Sequence, residues 1–165
     1  MLIVVIGVSG VGKTTIGLEL ARQLGFEFAD ADTYHSAENI RKMAAGIPLT
    51  DEDRWPWLAK LHDLMKQRAD GGEDLVLACS ALRQVYRDKL QEGLQVTWVY
   101  LKGSPEAIRE RLRERHGHYM TEQLLASQLA TLEEPTGVIT VNADNSVPEV
   151  VRDIVAKLSQ SQAAG

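Results

Sequence analysis

Several large classes of protein are excluded by what this chain lacks. It has a single cysteine, Cys79, so no internal disulfide can form, and that usage fits a reducing compartment. Net charge is −5 with no basic block, which gives a nucleic-acid-binding face no compositional support. No stretch approaches the roughly 20 apolar residues of a membrane span. The apolar opening, Leu2 to Ile6, has no basic residues before it, is too short for a secretory signal, and runs straight into a glycine-rich loop. Internal repeats, low-complexity tracts and an interdomain linker are also missing. No D-x-x-G occurs, and no N-K-x-D follows a later strand, which argues against a GTPase-type switch. The expectation is one soluble, cytoplasmic domain over residues 1–165, with 44% hydrophobic residues to build its core.

Against these absences stands one dense motif. Gly7, Val8, Ser9, Gly10, Val11, Gly12, Lys13 and Thr14 spell a complete G-x-x-x-x-G-K-T phosphate loop. Its glycines let backbone N–H groups turn inward without Cβ obstruction and form a nest for anionic oxygens. Lys13 can set its ammonium against the β- and γ-phosphates, and the Thr14 hydroxyl suits magnesium. The run Leu2 to Ile6 reads as a buried strand before the loop. Ile16, Leu20, Ala21 and Leu24 recur at helical spacing after it, and Gly25 supplies a stop. Strand, loop and helix thus follow in the order that places phosphates on a helix N-terminus, with Thr15 in the first turn of that helix. The motif implies a nucleotide polyphosphate with its magnesium (Mg2+) as ligand.

Four further strand candidates are Phe26–Asp30, Leu75–Ser80, Val96–Leu101 and Val138–Asn142. Helical segments alternate with them, the pattern of an α/β fold with a five-stranded parallel sheet and functional groups at the carboxyl ends of the strands. The interval between the second and third strands, about 34–72, is long enough for two helices. Ser36 can cap the first, with Ile40, Met43 and Ala44 as its apolar stripe and Gly46 closing it. Asp53 can cap the second, with Pro56 in its first turn and Trp57, Leu58, Leu61, Leu64 and Met65 facing inward. An insertion there overhangs the phosphate loop, where a phosphoryl acceptor could be gripped.

Asp30 and Asp32 lie two apart where the second strand ends, so extended backbone puts both carboxylates on one side. One can hold the hydration shell of a magnesium ion, the assignment made for Asp30. The other, Asp32, can accept the proton of an attacking hydroxyl. The bland alternative is a pair that only caps a turn. Ser104-Pro105 can open a helix in which Arg111 and Arg115 share a face. Either those arginines meet the triphosphate when His116-Gly117-His118 folds over as a lid, or the helix is a salt-laced surface. Arg54 and Arg83 can each hold a carboxylate by two hydrogen bonds, though either alone is commonly a surface residue. His35 can bond a polyol or cap the next helix. Trp55 and Trp57 read as packing, Cys79 as a small buried hydrophobe, and Ser80 as pointing to the site.

Taken together, these stretches resemble the gluconokinase family of small P-loop kinases over nearly the whole chain. Carrying the resemblance are G-V-S-G-V-G-K-T at 7–14, D-A-D-T-Y-H at 30–35, Asn39 to Met43 with Gly46 to Leu49, and D-E-D-R-W-P-W-L at 51–58. Further on, C-S-A-L-R at 79–83, Tyr86 to Asp88, Gly117-His118-Tyr119 and Leu124 to Gln128 continue it. The phosphate loop is common to many kinases; D-E-D-R-W-P-W-L and C-S-A-L are far more particular.

The resemblance implies a nucleoside-kinase-like three-layer sandwich with a helical substrate-binding insertion and a mobile lid at about 111–130. It implies the reaction ATP + D-gluconate → ADP + 6-phospho-D-gluconate with magnesium. Asp32 would orient or deprotonate the 6-hydroxyl. His35, Arg54, Ser80, Arg83 and His118 would line the sugar-acid pocket, while Lys13, Arg111 and Arg115 would neutralise transferring charge. A homodimer is implied as well. Arg83 stands where the family commonly has lysine, Tyr119 where phenylalanine is usual, and Thr14 where serine is common. Two other readings stay open: a shikimate or nucleoside monophosphate kinase, and a non-catalytic ATP-binding regulator.

Overall fold

Alternation along the first strand decides the layers. In the computed structural model, which describes the backbone of residues 1–116 and 119–164 and side chains other than 115–124 and those beyond 161, every residue of that strand is buried. The chain runs β1 (Leu2–Ile6), α1 (Lys13–Leu24), β2 (Glu27–Asp30), a 3-10 turn at Ala31–Tyr34, α2 (Ala37–Ala44) and α3 (Asp51–Asp70). It continues through β3 (Leu75–Ala78), α4 (Gln84–Gln91), β4 (Val96–Lys102), α5 (Pro105–His116), α6 (Tyr119–Thr131), β5 (Ile139–Asn142) and α7 (Val147–Ala164).

Ile3 and Val5 join one core with Ile16 and Leu20 of α1, Ile108 and Leu112 of α5, Leu125 of α6, and Val151 and Ile154 of α7. Leu2, Val4 and Ile6 point the other way, into Trp57, Leu58, Leu61 and Met65 of α3 and Tyr86 and Leu90 of α4. A sheet buried on both faces reads as a continuous apolar run, as β1 and β3 do. This is the expected three-layer sandwich.

Strand order is β2-β3-β1-β4-β5, with every pairing parallel. β1 lies between β3 and β4, and the chain leaves it first toward the β2 side and later toward the β5 side. The carboxyl end of β1 is therefore the switch point, where open α/β sheets leave a crevice for ligands. The phosphate loop begins there.

The elements follow the sequence pattern with three corrections. Ile40 and Met43 of α2 are 51% and 41% exposed and Ala44 is exposed too, so they form no inward stripe. The buried anchor of this eight-residue helix is polar: Asn39 donates to the Asp53 carbonyl at 2.9 Å. The cap of α3 is Thr50, not Asp53. Thr50 Oγ1 accepts from the Asp53 N–H at 3.1 Å and the Asp53 carboxylate accepts from the Thr50 N–H at 2.9 Å, a reciprocal capping box. Pro56 falls in the second turn rather than the first. It and Glu52, whose carbonyl loses its helical donor there, are both exposed, so water can satisfy the gap.

Candidate active site

The phosphate loop closes on itself before any ligand is considered. Gly10 has φ +84, and a Cβ there would stand 2.8 Å from Leu112 Cγ, so both conformation and space demand glycine. Gly12, at φ +103, caps α1 without a side chain, and no acidic residue occupies the first turn. The leading N–H groups of α1, from Lys13, Thr14 and Thr15, thus meet no capping carboxylate, the condition an anion needs. The Lys13 ammonium donates to the Val8 carbonyl at 3.1 Å, across the loop. Arg111 reaches in from α5, donating through Nη1 to the Val11 carbonyl at 3.0 Å and through Nη2 to the Ala143 carbonyl at 2.9 Å. Its planar fork ties the loop to the end of β5. The side chains of Arg115 and His118, and the hinge at 117–118, lie outside the described residues.

At the end of β2, Asp30 and Asp32 take different tasks. Asp30 Oδ2 accepts from the Thr14 hydroxyl at 3.0 Å, and Oδ1 accepts from the Asp32 N–H at 2.9 Å. The Asp32 side chain is exposed beside them. So Asp30 caps the turn, as the bland reading has it, and also reaches the phosphate loop. Thr14 and Asp30 together offer a hydroxyl and a carboxylate, hard oxygen donors that suit magnesium held mainly by phosphates and water. Among the described residues no group of three or more His, Cys, Asp or Glu could cage a metal alone.

His35 lies half-buried against Trp57, ring centroids 4.1 Å apart and planes 15° from parallel. Burial pushes its pKa below the ordinary value, opposed by Asp32 and reinforced by Arg54. Asn39 Nδ2 stands 3.4 Å from His35 Nδ1. With Asn39 donating, Nδ1 is unprotonated and Nε2 carries the hydrogen, a donor for a polyol oxygen. Trp57 is fixed in turn by donating Nε1–H to the Ala31 carbonyl at 2.8 Å.

Arg54 and Arg83 come from different elements and meet around Tyr86. Their guanidinium carbons sit 5.0 and 5.6 Å from its ring centroid. Arg83 Nη1 donates to Asp51 Oδ2 at 2.8 Å, the Tyr86 hydroxyl donates to Asp51 Oδ1 at 2.6 Å, and Arg54 Nη1 donates to the Tyr86 oxygen at 2.8 Å. The Tyr86 hydrogen bond, with Arg83 next, holds the Asp51 carboxyl below its usual range. The carboxylate that lies against both arginines in this arrangement is that of Asp51. Ser80 is partly buried just past β3, which ends at Ala78 rather than Ser80. Cys79 is buried, its thiol pushed up to about 12 by desolvation, so it is inert packing as the sequence suggested.

Comparison with known proteins decides the family. An AAA domain model (AAA_33) matches residues 2–135. A gluconokinase of Gluconobacter oxydans (strain 621H) is 42% identical, the match covering 93% of this chain and 88% of that one. The thermoresistant gluconokinase of Escherichia coli (strain K12) is 39% identical over 96% of this chain and 94% of its own. The chain belongs to the gluconokinase family. A crystal structure of a gluconokinase from Sinorhizobium meliloti 1021 superposes with a TM-score of 0.88 at 44% identity, covering 96% of this chain and 91% of that one. The gluconokinase likeness therefore extends to the fold itself, over the same span as the sequence match.

Some residues of the site carried no signal of their own in the sequence. Asp51 and Tyr86, which organise the arginine pair, appeared only inside family-like stretches. Gln128, bonded to Ser9, and Arg87, buried at 3% exposure, likewise appeared only inside such stretches, with no periodicity to mark them.

Proposed function

We propose that this chain transfers the γ-phosphoryl group of ATP to the 6-hydroxyl of D-gluconate, releasing ADP and 6-phospho-D-gluconate. One observation carries the acceptor side: Arg54 and Arg83 converge, from α3 and the start of α4, on a single carboxylate. A sugar acid has such a group at one end and a primary hydroxyl at the other. In this reading the arginine pair and His35 hold the acid end and the polyol, and Ser80 and His118 line the same pocket. Asp32 then takes the proton from the 6-hydroxyl as it attacks, and Lys13, Arg111 and Arg115 offset charge on the transferring group.

Backbone N–H groups of Gly7 to Thr15 would bind the phosphates. Thr14 and Asp30 would hold magnesium, which neutralises phosphate charge when bound. The resemblance also favours a homodimer, checked by sedimentation equilibrium, and the lone Cys79 favours the cytoplasm, checked by localising a tagged chain. No described helix is long and apolar enough to cross a membrane.

The test is ADP release with MgATP against gluconate, other aldonates, shikimate and nucleoside monophosphates. Turnover with gluconate is expected. Turnover confined to shikimate or a nucleoside monophosphate overturns the acceptor, and ATP binding without turnover on any acceptor points to a regulator instead.

A further inference from the structure

The end of α6 and the residues just after it touch two loops, the phosphate loop and the loop between β3 and α4. At Gln128 the side-chain carboxamide pairs twice with the phosphate loop: the Ser9 N–H donates to Oε1 at 2.6 Å, and Nε2 donates to Ser9 Oγ at 2.8 Å. Five residues on, Glu133 is fastened to the loop between β3 and α4. Its N–H donates to the Leu82 carbonyl at 2.8 Å, and its own carbonyl accepts from Arg87 Nη2 at 2.8 Å. Its carboxylate accepts from the Gln84 N–H at 3.0 Å and lies 3.6 Å from Arg83 Nε. Arg87, itself buried, donates through Nη1 to the carbonyl of Ala81 at 2.7 Å. Ala81 has φ +41, a left-handed conformation that a residue with a Cβ adopts only when its surroundings hold it there.

The segment joining these two ends, at the C-terminal edge of the range expected for the lid, is packed on the core. The Leu132 N–H donates to the Gln128 carbonyl at 2.9 Å, continuing the helical turn, and Leu129 and Leu132 pack on the core that contains fully buried Leu125. A short core-packed piece thus spans from the loop that would hold the donor phosphates to the loop that carries Ser80 and Arg83. In-line transfer depends on that spacing, because misplacing reactants by about 1 Å can cost a hundredfold in rate.

We infer that Gln128 is a positioning residue, and that Gln128 to Glu133 form a strut fixing the phosphate loop relative to the acceptor loop. Gln128 acts through Ser9 and not on the transferring group. The inference rests on the acceptor lying against the Ser80–Arg83 loop, as proposed above.

The experiment is a single-turnover measurement of phosphoryl transfer to gluconate, together with ADP binding by calorimetry. Gln128→Leu keeps the side-chain bulk and removes both bonds to Ser9. The transfer rate should fall about tenfold or more, while ADP affinity stays within about threefold because Lys13 and the loop amides other than that of Ser9 keep their surroundings. Glu133→Ala, at an exposed side chain, loosens the other end. A strut makes the two losses non-additive, so the double variant should be faster than the product of the single effects by about threefold or more. An unchanged rate in Gln128→Leu overturns the inference, as do single effects that multiply. Failure of the acceptor reading shows separately: Arg54→Gln, whose side chain meets Leu49, Asp51 and Tyr86 and no residue of the strut, would leave the KM for gluconate unaltered.

Discussion

Asp30 and Asp32 are the same residue type, two positions apart, yet the hydrogen bonds around them assign different work. Asp30 spends one oxygen on Thr14 and the other on a backbone N–H, so it is anchored to the phosphate loop. Asp32 gives only its N–H to that arrangement and its carboxylate is exposed, so under the proposed reaction it is the one that meets the acceptor hydroxyl. Asp32→Asn should therefore lower kcat about a hundredfold or more while leaving the Kd for ATP unchanged, because it removes a proton acceptor and no phosphate contact. Steady-state kinetics with an ATP titration checks this, and an unaltered kcat would remove Asp32 from the chemistry. The alternation of two carboxylates across one residue was legible in the sequence. Which of them would be anchored was not, because that depends on Thr14 arriving beside β2 from a different element.

Helix α3 shows at the next scale why a site can be partly readable. Its inward face, Trp57, Leu58, Leu61 and Met65, followed from helical spacing, since a sheet offers one side and a helix must bury one stripe. Its start was misassigned by three residues because Thr50 and Asp53 are both good caps and the reciprocal box uses both. The box matters to function because the first turn presents Asp51 and Arg54. Thr50→Ala should cost about 1 kcal/mol in urea unfolding and raise the KM for gluconate as that turn loosens.

Asp53 adds a pH signature. The Lys42 ammonium at 2.9 Å, with the Thr50 N–H, holds its carboxyl at about 2 against an ordinary 3.8. The folded chain therefore binds the proton less readily than the unfolded one, so this stabilisation is present above 3.8 and is lost as pH falls toward 2. The Tm gap between the wild type and Asp53→Asn should be open at neutral pH and narrow through that window. A gap independent of pH would mean that the carboxyl is not held by these partners. By contrast, α2 was misread because its apolar residues at Ile40 and Met43 mimic an inward stripe, while its real anchor, Asn39, is polar and invisible to a hydrophobic pattern.

For the molecule as a whole, the difficulty is electrostatic. A chain of net charge −5 must bring together a nucleotide polyphosphate and, as proposed, a carboxylate. The sheet order answers it by collecting cations at one edge. Lys13 follows β1 at the switch point, Arg83 follows β3, Arg111 follows β4, and Arg54 stands on α3 over the same end. Strand positions could be read from apolar runs, but the order β2-β3-β1-β4-β5 that brings these cations to one end of the sheet is a tertiary fact with no local signature.

If magnesium is held as proposed, by Thr14 and Asp30 together with the phosphates, nucleotide binding should depend on it. ADP at a hundred times its Kd should stabilise the fold by about 2.7 kcal/mol. For a chain of this size that raises Tm by roughly 5–10 °C. Chelating the metal with EDTA at the same ADP concentration should remove most of that shift, and Lys13→Ala should weaken it with metal present. A thermal shift identical with and without EDTA would place the burden of neutralisation on the protein's own cations and exclude Thr14 and Asp30 as magnesium-holding groups.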